Sequence, residues 1–209
     1  MKKILSFALV AVMALSLFAF TACGKDDALK FGFGVNYSLS GVASATDEVD
    51  GSATLDVTAA TVLVDEDGKI VKCKVDTFAP SIAWNNAGVV AEIPADKLAS
   101  KYELGNAYGM SAIGKAEWYV QADAFCSAIV GKTLAEAKAM VSGETGNADI
   151  TSAGCTMKVG SFIAAVEKAV NNAATTTATA NSTLQLGMAI ANTSANASDE
   201  KQMVRVHLM

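Results

Sequence analysis

A change of periodicity at one place constrains this chain more than any other feature. Up to about residue 100 the apolar residues recur at alternate positions. From the stretch Lys101 to Lys132 (KYELGNAYGMSAIGKAEWYVQADAFCSAIVGK) onward they recur every third or fourth. Alternation belongs to strands and the longer repeat to helices. The chain is therefore expected to be α+β, a twisted antiparallel sheet with about three helices packed on one face.

The sheet half opens with Leu29, Phe31, Phe33 and Val35 on one side of a strand. Gly32 and Gly34 fall on the other side, where a second backbone or a ligand can approach closely. Ser38 to Gly51 reads as a polar loop or wide hairpin. Ser52 to Val64 is a β-branched strand, Asp65-Glu66-Asp67-Gly68 a turn, and Lys69 to Asp76 the return strand. Val71, Cys73 and Val75 are expected in the core, with Lys72, Lys74 and Asp76 on a wet face. Phe78 to Ile93 is less regular, with a short strand expected at Val89 to Ile93.

In the helical half, a loop with Gly105 and Gly109 precedes a helix expected from about Lys115 to Val130. Its stripe is Trp118, Ala122, Phe125 and Ile129, ended by Gly131. Thr133 and Glu136 form a capping box for a short helix that stops near Gly143. Asp149 to Lys158 reads as a loop and short strand. Ser161 caps a last helix from Phe162 to Asn172, with Phe162, Val166, Ala169 and Val170 facing inward. Residues 174–183 form a Thr/Ala linker. Residues 184–209 open with Leu184-Gln185-Leu186-Gly187-Met188-Ala189-Ile190, which repeats the pattern of Leu29 to Val35. That segment is the start of a second repeat, a strand docked on the first domain, or a chance likeness.

With 209 residues, 52% of them hydrophobic, the chain can build one core of roughly 150 residues. A net charge of -5 with no basic run excludes a nucleic-acid partner. Lys2 and Lys3, the apolar run from Ile4 to Phe20 and the small pair Thr21-Ala22 make residues 1–22 a secretory signal, with a membrane-spanning helix as the competing reading. Cys23 with the polar tether that follows, residues 23–28, resembles a bacterial lipobox in which Phe20 replaces the more usual Leu. Lipidation at Cys23 would anchor the mature chain in the bilayer, on the extracytoplasmic face of the cell membrane. Cys73, Cys126 and Cys155 read as small buried hydrophobes. One histidine and scattered thiols supply no metal site.

Three blocks taken together carry a family resemblance: VLVDEDGKIVKCKVD, KYELGNAYGM with the following IGKAEWYVQADAF and VGKT, and ADITSAGCTMKVGSFIAAVEKAV. Over residues 29–173 they resemble lipoproteins of Gram-positive anaerobes that are similar to FMN-binding domains. The resemblance implies a small α+β flavoprotein module outside the membrane, serving electron transport with redox partners. In that family a flavin transferase links FMN to the Thr of a Ser-Gly-Ala-Thr turn. The corresponding stretch here runs from Asp149 to Thr156, with Asp149 and Ser152 matching, Ala153-Gly154 inverted, Cys155 in the place of the Thr and Thr156 one residue late. Ser152, Cys155 and Thr156 are the cofactor residues the resemblance implies. The turn-like Asp50-Gly51-Ser52-Ala53-Thr54 opens a strand instead of a helix.

From the residues themselves, Tyr108, Gly109 and Met110 could floor a flavin ring, and the helix start near Lys115 could meet a phosphate. Equally, Tyr102, Tyr108 and Trp118 could simply cover the sheet. No nucleophile elbow or histidine pair is present, and Glu103, Glu117 and Asp123 read as solvated or capping carboxylates, so no catalysis by the protein itself is expected. A flavin or electron carrier at the cell surface is one reading. A non-enzymatic display or adhesion module without cofactor is the other.

Overall fold

A computed structural model describes residues 28–94, 97–113 and 115–189, and the backbone of Ser194–Ala195 and Met203–Val204. The expected signal, residues 1–22, and Cys23 lie outside the described residues. So does most of the expected second repeat beyond Ala189.

The fold is α+β. Strands β1 (Lys30–Ala43), β2 (Gly51–Val64), β3 (Ile70–Phe78) and β4 (Ser81–Trp84) form an antiparallel sheet, completed by the later β7 (Ala174–Thr175). The spatial order is β3-β2-β1-β7, and β4 pairs the first residues of β2 just beyond the end of β3. Among the described residues five α-helices follow: α1 (Lys101–Leu104), α2 (Trp118–Ile129), α3 (Leu134–Ala139), α4 (Ala148–Ser152) and α5 (Gly160–Asn171). A short hairpin joins β5 (Val141–Ser142) to β6 (Thr145–Gly146), and β8 (Ser194–Ala195) pairs antiparallel with β9 (Met203–Val204). No described helix is long and apolar enough to cross a membrane.

The main core lies between the inner face of the sheet and the helices. Ala60, Val62 and Val64 of β2 with Cys73 and Val75 of β3 meet Trp118, Ala122, Phe125 and Ile129 of α2 and Phe162, Val166 and Ala169 of α5. The helical stripes thus bury the residues their spacing selects. Phe162 stands edge-on to both Trp118 and Phe125, with ring centroids 5.6 and 5.4 Å away, a favoured aromatic geometry. Helix α5 presses directly on β1. A Cβ on Gly32 would overlap the carbonyl oxygen of Ala169, and one on Gly34 would overlap the backbone of Ala165 and Ala169. Both glycines are there for close approach of a backbone.

Several local expectations are corrected. Of the two expectations for Ser38 to Gly51, the wide hairpin holds and the loop does not: β1 runs on to Ala43, paired with β2 as far as Ser40↔Thr54 and again at Ala43↔Ser52. The segment expected to be loop and strand after Asp149 contains α4, whose Asn147 side chain accepts hydrogen bonds from the amides of Asp149 and Ile150. Ser161 lies inside the first turn of α5, which starts at Gly160 without a side-chain cap. The capping box of Thr133 and Glu136 is present on α3.

The outer face of β3 is covered, not wet. Asp76 is 3% exposed, and its carboxylate accepts hydrogen bonds from the amides of Thr77 and Tyr102 at 2.7 and 3.0 Å. Leu186 and Met188 lie against Val57, Ala59 and Phe78 in a second, smaller cluster, with Leu98 beside them. Lys72 reaches the carbonyl of Ser182 at 2.6 Å. The Leu184 repeat pattern therefore belongs, as far as Met188, to a strap that docks on the outer face. On the opposite edge of the sheet, beyond its two-residue pairing with β7, β1 has two carbonyls taken by side chains of the last helical turns. Lys168 donates to Val35 at 2.8 Å and Asn172 to Phe33 at 3.3 Å.

Candidate functional site

Where β1, β2 and β3 extend past the core, their inner face turns polar and a cavity of about 720 Å³ opens above it. Its floor is Asn36, Ser38 and Ser40 of β1, Asp56 and Thr58 of β2 and Thr77 of β3. These groups are tied to one another: Ser40 donates to Asp56 at 2.9 Å, and the Thr58 and Thr77 hydroxyls are 3.0 Å apart. The alternation that builds a strand is what aligns them, since even-numbered β1 residues all face the helices.

The walls come from the helical half. Tyr108 and Met110 stand on two consecutive 3-10 turns, Gly105–Tyr108 and Met110–Ile113, separated by Gly109 at φ 82°. Only glycine takes that backbone angle without strain. Trp118 opens α2, and Phe162 opens α5 together with Gly160 and Ser161. Lys101 holds its ammonium 5.4 Å from the centre of the Tyr108 ring and 6.0 Å from that of Trp118, within the range of a cation–π contact. Lys158 adds a second positive charge and Glu144 a negative one. Lys101 and Tyr108 also line a neighbouring cleft of about 610 Å³, so Tyr108 stands between two hollows.

Both long helices begin at this cavity, neither with a side-chain hydrogen bond at its N-cap, and a carboxylate of the chain stands near each start. Glu117, at the N-cap of α2, accepts the amides of Met110 and Ser111 at 3.0 and 3.1 Å. Hydrogen bonds from Ser111, its hydroxyl foremost, and from the amides of Met110 and Gly109 hold the Glu117 carboxyl below its usual range. Glu144 is seated on the first residue of α5, where a Cβ on Gly160 would lie 2.6 Å from its Oε1. A negative charge there is favoured by the helix dipole. The helix start expected near Lys115 lies at Trp118, and Glu117 engages amides of the turn before it, not those of the helix.

Of the residues singled out from sequence, Tyr108 and Met110 line the cavity with Gly109 between them. Ser152 ends α4 and is exposed, and Cys155 is 1% exposed and turned into the core. Thr156 sits on the rim next to Met157 and Lys158, which do line the cavity. Its amide and hydroxyl both donate to Gln121 Oε1, at 2.9 and 3.1 Å, and its hydroxyl accepts from Lys115 at 3.3 Å. The structure thus brings Tyr108 and Met110 into the site and leaves Ser152, Cys155 and Thr156 outside its lining. Lys101, Lys158 and the polar floor escape sequence reading. The signal for the floor was the alternation of Asn36, Ser38 and Ser40 with Tyr37 and Leu39.

No family model, curated protein or solved structure matches the chain. Function is therefore read from the site itself.

Lys74 reaches round the sheet edge to Asp123 at 2.7 Å and Tyr102 at 3.2 Å, and Tyr102 donates to Asp123 at 2.9 Å. Burial pulls the Lys74 ammonium down, but its bonds to Asp123 and Tyr102 outweigh that and raise its pKa. The group is a closed ion pair that ties α2 to the edge strand. Cys73, Cys126 and Cys155 are free and buried. The neighbouring Cys126 thiol, with burial, pushes Cys73 well up, and burial pushes Cys155 up. Such thiols are poor nucleophiles. Among the described residues no group of three or more His, Cys, Asp or Glu is placed to hold a metal ion.

Proposed function

We propose that the chain is a lipid-anchored extracytoplasmic binding module that holds a planar aromatic ligand with an anionic group, FMN being the ligand to test, in the cavity between the polar sheet floor and the two helix starts. The observation that carries this reading is Lys101 poised over the rings of Tyr108 and Trp118. The exposed ring of Tyr108 and a positive charge stand side by side there, with Trp118 buried behind them, which suits an isoalloxazine ring with a phosphate tail. The cavity volume lies within the range of small-molecule sites.

The phosphate would be met by Lys101 and Lys158, because Glu117 takes the turn amides of Met110 and Ser111 and Glu144 sets a negative charge against Gly160 at the start of α5. Bound flavin would supply electron-transfer chemistry. The chain's own residues would bind it, orient it and keep water from one face. Attachment is proposed as non-covalent, since the Thr156 hydroxyl is committed to Gln121 and Lys115 on the rim.

A second reading, a display or adhesion module without cofactor, is favoured by Glu117, whose carboxylate already takes the amides of Met110 and Ser111 beside the cavity without any ligand. Titration of residues 24–209 with FMN, followed by flavin fluorescence, separates the two. Saturable quenching is expected, weakened about tenfold by Lys101→Ala or Tyr108→Ala, or about 1.4 kcal/mol, and unchanged by Thr156→Ala. No quenching by a folded protein would leave the module without cofactor as its function.

A further inference from the structure

The outer face of the sheet is covered unevenly. Over β3 and β2 lie Leu98, Leu186 and Met188. Over β1 the described residues give no such apolar cover; Lys168 stands near, 5.9 Å from the centre of the Tyr37 ring. Phe31, Phe33, Tyr37 and Leu39 share that face by strand alternation and are 41, 40, 72 and 63% exposed. They form an apolar row about 27 Å long, continuous through Val35 with the buried Met188 cluster. Rows of this kind mark a docking surface.

Position narrows what docks. Only residues 24–29 separate Cys23 from Lys30, the first residue of β1. Even fully extended, that span reaches about 25 Å. A lipid on Cys23 therefore keeps the row within roughly its own length of the bilayer surface. We propose that the outer face of β1 lies on the membrane, with Phe31, Phe33, Tyr37 and Leu39 entering the headgroup region. This rests on Cys23 being the lipid attachment site.

The chemistry of the row fits an interface, where aromatic side chains are favoured and apolar area sets binding strength. The contact is apolar in origin. The turn Asp65-Glu66-Asp67 stands at the same end of the sheet as the start of β1, given the pairing of Lys30 with Val64, and opposes anionic headgroups. A surface too weak to bind alone becomes effective once the anchor makes the encounter intramolecular. Lying on this face, the module turns its inner-face cavity away from the bilayer, toward solvent.

The test uses residues 24–209 with an N-terminal hexahistidine tag in place of the lipid, on phosphatidylcholine vesicles carrying a nickel-chelating lipid. Vesicle affinity is measured by sedimentation for the wild type, for Tyr37→Ser and for the combined Phe31→Ser, Phe33→Ser, Tyr37→Ser, Leu39→Ser variant. The combined variant is expected to bind about tenfold more weakly, with Tyr37→Ser between the two and the difference surviving about 0.5 M NaCl, where surface charge is screened. Equal affinities for variants with unchanged thermal unfolding would overturn the proposal. So would light scattering that shows a wild-type dimer dissolved by the same substitutions, since the row would then seat a second copy. Lipidation is read separately, from the intact mass of the exported full chain. Loss of the acyl mass at Cys23 would overturn docking in the cell through its anchor, whereas equal vesicle affinities overturn it through the surface.

Discussion

At Asp76, a carboxylate is held under the chain segment that starts α1. Burial raises its pKa above the ordinary value, against hydrogen bonds from the Ser100 hydroxyl and the amides of Tyr102 and Thr77 that pull it down. The folded chain thus keeps a proton at pH values where the unfolded chain has released it. Stability from this group is complete below the unfolded pKa of about 3.9 and is lost as pH rises through the higher folded value. Asp76→Asn cannot ionise but keeps an acceptor oxygen. Urea unfolding at a series of pH values is expected to show the variant gaining on the wild type as pH rises above about 4; a gap independent of pH would contradict this. Alternation in β3 was legible and put Asp76 beside Lys72 and Lys74. What covers that face was not, because the partners Ser100 and Tyr102 lie more than twenty residues on, and the Ser100–Glu103 capping box that starts α1 does not say which strand the helix packs against. The candidate site divides in the same way. Tyr108 and Met110 were visible as aromatic and apolar residues around a turn glycine, whereas nothing local distinguishes Lys101 or Lys158 from a solvated lysine.

Among the elements, α5 depends on two glycines of β1. Gly34→Ala would drive a methyl group into the backbone of Ala165 and Ala169, and overpacking of this kind costs about 3 kcal/mol. A lowered urea midpoint with an unchanged slope is the expected outcome. Thr133→Ala removes the hydroxyl that accepts the Glu136 amide and is expected to cost about 1 kcal/mol by the same measurement. The helical stripes and this capping box were readable because their information is local. The second half of β1 was not, since Ser, Gly and Ala carry weak strand preference and only its pairing with β2 decides its conformation. Helix α4 was missed for a related reason: five residues hold too little periodicity to register, and the Asn147 cap is its one local signal.

For the whole molecule, the strap from Ser182 to Met188 decides how much of the sheet is closed. Its alternating Leu184, Leu186 and Met188 could be seen in the sequence, but its destination follows from topology. A chain ending at Ser182 would uncover Val57, Ala59 and Phe78. Met188 alone, 5% exposed, is worth about 2 kcal/mol or more by the cost of truncating a buried methionine. Thermal unfolding several degrees lower, with new binding of an apolar dye, is the expected result. The other edge carries a different consequence. An open strand is a template on which further copies can stack by backbone pairing. By occupying the carbonyls of Phe33 and Val35, Asn172 and Lys168 act as stoppers against such growth, so that copies brought close together would remain separate particles instead of fusing into a fibre.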